Sequence, residues 1–206
     1  MPRPSRAVDF GAAQFLTGAH LPSQCPPDSG AEVVFAGRSN SGKSSALNLI
    51  ARPGLARTGK TPGRTRQMNF FTCGDDRRLV DLPGYGYAGV RQSLRAHWGR
   101  AIGRYLEERN SLKGLILTMD IRRAIAEDER QLLEWCAGRN LPARLLLTKS
   151  DKLSRGAAGQ KLRAVGEVLK KEFNFDAQIF SALKNHGRDE ARKVIVRWLL
   201  EGGGEG

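Results

Sequence analysis

Residues Gly37-Arg38-Ser39-Asn40-Ser41-Gly42-Lys43-Ser44 fit the spacing G-x-x-x-x-G-K-S. The chemistry this spacing suits is phosphate binding. Glycines let the backbone wrap closely around a phosphate, and successive N–H groups at a helix start supply partial positive charge. Lys43 is placed to reach the β- and γ-phosphates of a nucleotide, and Ser44 to put its hydroxyl on Mg²⁺. Ser45 follows and is counted with the same loop. A Gly-rich turn that matches by chance is the alternative. Even a true phosphate loop specifies a nucleotide without saying which one.

Three further segments carry complementary chemistry. In Asp81-Leu82-Pro83-Gly84, the aspartate can hold Mg²⁺ through water and the Gly84 N–H can touch a γ-phosphate. The bland reading is a strand followed by a Pro-Gly turn. In Thr148-Lys149-Ser150-Asp151, a carboxylate can accept two hydrogen bonds from guanine N1–H and its exocyclic amine. Adenine offers no such donor pair, so Asp151 selects guanine. The Lys149 stem can lie along the base plane. A helix N-cap at Asp151 is the competing reading. Ser181-Ala182-Leu183 places a backbone N–H, that of Ala182, where it can meet guanine O6. Each segment alone is weak, but four in fixed order are not a chance match. Between the first two lies a 15-residue loop, 52–66, with glycines, prolines and threonines and no acid. A loop of that length is functional or mobile. Thr65 is the best candidate for a Mg²⁺ ligand present only with triphosphate, with Thr58 and Thr61 as competitors, and such a loop is released on hydrolysis.

The elements that must position these residues alternate between strand-like and helix-like patterns. Strands are expected at 32–36, 67–73, 78–82, 115–119, 144–148 and 178–180, with a turn at 74–76 joining the second and third. Helices are expected at 43–51, 90–109, 127–137, 160–172 and 189–200, the second carrying Leu94, Trp98, Ile102 and Tyr105 on one face. That order implies an α/β fold with a mostly parallel six-stranded sheet covered on both faces. Ligands then sit at the carboxyl ends of the strands, where every motif above falls. Residues 1–30 read as an extension draped over the domain, with a short helical turn near Phe15. Residues 31–200 read as the domain itself and 201–206 as a Gly-rich flexible tail.

Charge narrows the partners. With 34 Lys and Arg against 21 Asp and Glu, the net charge of +13 favours contact with polyanions, nucleic acid above all. Residues 33–74 hold seven basic residues and no acid, of which Arg52, Arg57, Lys60 and Arg66 are surplus to nucleotide binding. Arg91, Arg95, Arg100 and Arg104 extend the basic charge, although a solvated helix face explains these four nearly as well. Cys25, Cys73 and Cys136 are odd in number and widely spaced, which argues against a disulfide framework and a zinc site. Neither a secretory signal nor a membrane span is expected, and the compartment expected is the cytoplasm.

The stretches GRSNSGKSSALN, ARTGKTPGRTRQMNFF, LVDLPGYGYA, LTMDIRR, LLTKSDKL and SALK resemble the EngB/YihA/YsxC family of bacterial ribosome-assembly GTPases, which belong with the translation-factor-related, Era-like P-loop GTPases. KTPGRT and DLPGYGYA are specific to that family, whereas GKS and TKSD would fit any G protein. The resemblance covers about residues 10–200. It implies a Ras-like G domain of six strands, GTP and GDP as ligands, Mg²⁺ as cofactor, and action on the large ribosomal subunit and its rRNA by a monomer. By motif matching Thr65 falls on the family's switch threonine, and Asn40 on the asparagine that in related GTPases coordinates an activating K⁺.

Many G proteins place a Gln directly after D-x-x-G to orient the attacking water, and here that residue is Tyr85. Slow intrinsic turnover is therefore expected, raised by K⁺ or by a partner. Asn40 with K⁺ and Arg64 compete as the source of positive charge, and Asn40 reads equally well as a loop residue bonding its own backbone. The function expected is a GTP-hydrolysing switch in large-subunit assembly. The alternatives are a GTP-regulated factor in cell division or on a protein complex without RNA contact, and a metabolic phosphotransferase, for which no lid-building insertion exists.

Overall fold

The computed structural model describes residues 7–56, 67–85 and 94–201, and of residues 94–99 only the backbone. Strand β2, Ala31–Gly37, is buried at every position. Its alternating side chains face two different cores. Val34 and Ala36 pack with one set of helices, and Val33 and Phe35 with the other. That is why its sequence reads as an unbroken apolar run rather than an alternating one.

The remaining elements follow in order. Helix α1, Lys43–Ile50, leads to the antiparallel pair β3, Met68–Thr72, and β4, Arg77–Asp81; then come α2, Leu94–Glu108, and β5, Leu112–Asp120. Helix α3, Glu127–Gly138, precedes β6, Ala143–Thr148; helix α4, Arg155–Phe173, precedes β7, Asp176–Ile179; and α5 is Arg188–Glu201. Strand β1, Gln14–Ala19, completes a seven-stranded sheet in the order β1-β3-β4-β2-β5-β6-β7. From β4 across to β7 every pairing is parallel. Helices α2, α3 and α4 supply Ile102, Tyr105, Leu132, Leu133, Val165 and Leu169 to one face. On the other face α1 and α5 supply Leu47, Ile50, Val194 and Ile195. The chain leaves β2 toward β4 on one side and returns to β5 on the other. The crevice at the carboxyl end of β2 is therefore the topological switch point, where ligands bind in such sheets.

The six expected strands are present, with ends shifted by a few residues, and one more is added. Residues 14–19 form no helical turn. They pair antiparallel with β3, Phe15 opposite Phe71, and the two rings meet edge to face at 5.9 Å. Pairing with β3 decides this conformation, and local pattern carries little of it. The short helical piece lies later, a 3-10 turn at Pro22–Gln24. Helix α4 begins at Arg155 rather than 160, because the Ser154 side chain accepts from the Ala157 N–H and caps it. Glu201 belongs to α5. Positions 90–93 and 202–206, and the side chains of Leu94, Arg95 and Trp98, lie outside what the structure describes.

At the opposite end of the sheet, Glu32 is fully buried and satisfied on both oxygens. It accepts from Arg78 Nε at 2.7 Å, Arg109 Nη2 at 2.6 Å and Nε at 3.0 Å, and the Tyr105 hydroxyl at 2.7 Å. Burial and this carboxylate hold the Tyr105 phenol well above its ordinary range. The cluster ties β2, β4, the end of α2 and the carbonyl of Pro27 together.

Candidate guanine-nucleotide site

The loop after β2 is held open by side chains from two neighbouring strands. Thr118 Oγ1 in β5 donates to the Ala36 carbonyl at 3.1 Å, so the Ser41 hydroxyl must be the donor in its 2.7 Å contact with Thr118. Thr148 Oγ1 lies within reach of both the Ser41 and Met119 carbonyls, and its single proton serves one of them at a time. Lys149 Nζ donates to the Asn40 carbonyl at 2.7 Å. Two consecutive loop carbonyls, of Asn40 and Ser41, are thus drawn toward the end of β6. The Gly42 N–H, on the far side of the Ser41 peptide plane, turns inward. Gly42 itself is left-handed at φ +92°, a conformation that suits glycine. Any Cβ at Gly37 would collide with Thr118 Oγ1 and Ser41 Oγ.

The Asp81 carboxylate ends β4 directly against Lys43 Nζ, and both side chains are only 10% exposed. The segment behind it docks on the loop as a short parallel bridge. Tyr85 N–H donates to the Gly37 carbonyl at 3.3 Å and Ser39 N–H to the Tyr85 carbonyl at 2.8 Å. Gly84 approaches so closely that an added Cβ would sit 3.2 Å from the Ser39 nitrogen. Tyr85, which stands where many G proteins carry Gln, is turned into the core. It is fully buried, with the hydroxyl 3.5 Å from Glu129 Oε1 in α3, and burial pushes its pKa well above the ordinary range. Arg38, also in the loop, reaches the same helix start through a 2.9 Å pair with Asp128.

On the other side of the loop lie the elements read as base-specific. Asp151 does not cap α4, since Ser154 does. It sits in a 3-10 turn, Ser150–Lys152, and Oδ1 accepts from the Ser181 hydroxyl at 2.6 Å, which holds its pKa below the ordinary range. Ser150 N–H donates to the Phe180 carbonyl at 3.2 Å, so the ends of β6 and β7 are joined. The loop from Ser181 to His186 closes on itself through two 3.0 Å backbone bonds, with Ala182 partly buried and Leu183 at 72% exposure on its rim. The predicted residues 37–45, 81, 84, 148, 149, 151 and 181–183 therefore converge at the carboxyl ends of β2, β4, β6 and β7. Thr65, with Thr58, Thr61, Arg57, Lys60, Arg64, Arg66 and Arg91, lies outside the described residues. Asn40 is exposed and left-handed at φ +63°, and among the described residues its carboxamide bonds no backbone group of its own loop.

Sequence reading missed two supports. Asp120, at the end of β5, accepts from Arg122 Nε at 2.9 Å and Nη2 at 2.6 Å and pairs with Lys149 Nζ at 3.1 Å. Arg122 foremost holds its carboxyl well below the usual range. A charged chain thus runs from Arg122 through Asp120 and Lys149 to the loop carbonyl of Asn40. The second support is Asn48 in α1. Its amide nitrogen donates to the Ala56 carbonyl at 2.8 Å and its oxygen accepts the Ala56 N–H at 2.6 Å, a two-bond clasp on the last described residue before position 57. Both lie in stretches that carry the family resemblance, but the sequence assigns them no role, because each serves the site through backbone and charge contacts that only the fold creates. Arg52, counted as surplus charge, is engaged instead with the Ala13 carbonyl at 2.5 Å.

Comparison with known proteins agrees with this geometry. Residues 32–149 match the model of the family described as 50S ribosome-binding GTPase. The chain is 49% identical over 196 residues, 94% of its length, to the probable GTP-binding protein EngB of Nitrosococcus oceani, of which it covers 98%. A crystal structure of a probable GTP-binding protein engB superposes with a TM-score of 0.62 at 19% identity, over 83% of this chain and all of that one. The elongation factor SelB of Methanococcus maripaludis in complex with a GTP analogue shares the fold, with a TM-score of 0.59 at 15% identity over 83% of this chain, which spans about a third (34%) of that protein. The phosphate loop, the aspartate paired to its lysine and the 49% identity lead to one conclusion: the chain belongs to the EngB family of P-loop proteins and hydrolyses GTP.

Proposed function

We propose that the protein is a switch that binds the large ribosomal subunit in its GTP state and assists that subunit's assembly. The observation carrying this reading is the match of residues 32–149 to the 50S ribosome-binding GTPase family, together with a net charge of +13. Residues 31–200 act as the G domain, with β1 contributed by the extension 1–30.

Within it, the backbone from Gly37 to Ser45 cradles the phosphates, and Lys43 leaves Asp81 to meet them. The Ser44 hydroxyl and Asp81 are hard oxygen donors suited to Mg²⁺. Among the described residues no cluster of three or more His, Cys, Asp or Glu exists. That fits Mg²⁺, which is held by one or two protein oxygens plus substrate phosphates rather than by an all-protein cage. Mg²⁺ supplies charge neutralisation between the phosphates, and Thr65 is assigned to it in the triphosphate state. Asp151 and Lys149 bind guanine, with Ser181, Ala182 and Leu183 at its edge. Because Tyr85 is turned into the core, no side chain there orients water. Positive charge in the transition state is assigned to K⁺ held through the exposed Asn40. Turnover is then faster in KCl than in NaCl at equal ionic strength, and Asn40→Ala abolishes the difference. Equal rates for the parent protein in the two salts remove K⁺ and leave Arg64 or a partner residue.

The ribosomal reading is tested by co-sedimentation with purified large subunits. Binding is expected to be stronger with a non-hydrolysable GTP analogue than with GDP, since γ-phosphate contacts fix the switch segments. Absence of co-sedimentation in either state would instead favour a GTP-regulated factor acting on a protein complex, as in cell division.

A further inference from the structure

Most of the described arginines near the sheet are committed internally. Arg192 caps the last carbonyls of α1, Arg78 and Arg109 meet Glu32, Arg104 meets Glu108, and Arg130 meets Glu172. One place differs. Between the loop after β5 and helix α4 lies a cleft of about 420 Å³. It is lined by the apolar side chains of Ile121, Leu153, Ala157 and Ala164 and by Arg122, Gln160 and Lys161. No residue lining it is acidic. Lys161 has no carboxylate partner among the described residues, and the Arg122 side chain stays 52% exposed despite its bond to Asp120. Arg123, Lys152 and Arg155 flank the cleft in sequence, all of them at least partly exposed. The first turn of the 19-residue α4 holds no acid, so the partial positive charge of that helix start adds to theirs.

We propose that this cleft binds a single-stranded segment of RNA, with an unpaired base against its apolar side chains and the flanking phosphates on Lys161 and Arg122. The inference rests on the ribosomal reading and names a contact surface for it. Aliphatic side chains beside two cations suit an unpaired base packed on the apolar lining and its phosphates on the charged groups. A peptide would anchor instead through side-chain pockets or strand pairing, and an acidic one would need its carboxylates placed to match. The cleft also lies on the α2, α3 and α4 face of the sheet, opposite α5. A charge-matched control is therefore available on the far side of the molecule.

The test compares two double variants, each lowering the net charge by about two units: Lys161→Gln with Ala164→Glu in the cleft, and Lys193→Gln with Arg197→Gln on the outer side of α5. All four positions are helical and outside the nucleotide site, and GDP affinity reports whether each variant is intact. Binding is measured by co-sedimentation with large subunits and by fluorescence anisotropy with a labelled oligouridine. The cleft variant is expected to bind both probes at least tenfold more weakly than the parent near physiological salt. Its salt slope on oligouridine should be shallower by about 0.7, because one phosphate is no longer neutralised by Lys161. The α5 variant should stay within about twofold. Equal losses in the two double variants overturn the proposal, because general charge alone then explains binding. Loss of subunit binding by the cleft variant with no oligouridine binding by the parent also overturns it, and assigns the cleft to a ribosomal protein. Cleft-dependent oligouridine binding without subunit binding supports the cleft and removes the ribosomal reading.

Discussion

Replacing Lys43 by alanine is expected to weaken GTP binding by roughly 10- to 100-fold, since a charge-assisted hydrogen bond contributes about 1.5–3 kcal/mol and each 1.4 kcal/mol is tenfold. The Lys43–Asp81 pair supplies the reason for a large effect. Lys43 and Asp81 pair directly, and each is nearly buried. In the proposed GTP-bound state the ammonium would pass to phosphate and the carboxylate would be free to serve Mg²⁺. Lys43→Ala therefore removes one partner from the triphosphate and also strands the Asp81 carboxylate in a confined space, facing the phosphates without its neutralising cation. Asp81→Asn separates the two effects. It releases Lys43 to the phosphates and removes the Mg²⁺ donor, so GTP affinity measured in EDTA should hold or rise, while the gain on adding Mg²⁺ should shrink. Isothermal titration of GTP with and without Mg²⁺ reads both. Unchanged GTP affinity for Lys43→Ala would show that the loop does not hold phosphate through this residue.

How much of this was legible in the sequence depends on what each residue does. Motif residues assigned to the nucleotide and its Mg²⁺ are constrained in type and spacing, so Gly37, Gly42, Lys43, Asp81 and Asp151 could be proposed from the chain, and their elements followed from hydrophobic pattern. Strand β1 could not, because QFLTGA is short, lacks clean alternation and contains a glycine; its conformation is set by pairing with β3. Tyr85 was legible as a departure from Gln, but its burial against Glu129 depends on where α3 begins, more than 40 residues later. Asp120 and Asn48 were invisible for a related reason. Asp120 acts through Lys149, a residue 29 positions away, and Asn48 acts on backbone atoms of Ala56, which leave no trace in residue type.

That four separated segments form one guanine-selective site is tested most directly by Asp151→Asn. Asp151 is held by Ser181, and that hydrogen bond favours the charged carboxylate, lowering its pKa from the ordinary value. A carboxylate accepts from guanine N1–H and from the exocyclic amine. The amide of asparagine keeps one acceptor and turns a donor toward guanine's own donors, whereas xanthine presents a carbonyl at that place. With two charge-assisted bonds at stake, GDP affinity should fall by about 3 kcal/mol or more, roughly 100-fold. Affinity for xanthosine diphosphate should rise in the same variant. The measurement is titration of both diphosphates against the parent protein and Asp151→Asn, with no hydrolysis to complicate the readout. A crossover is expected, with the parent preferring GDP and the variant preferring xanthosine diphosphate; undiminished GDP affinity in the variant would contradict it.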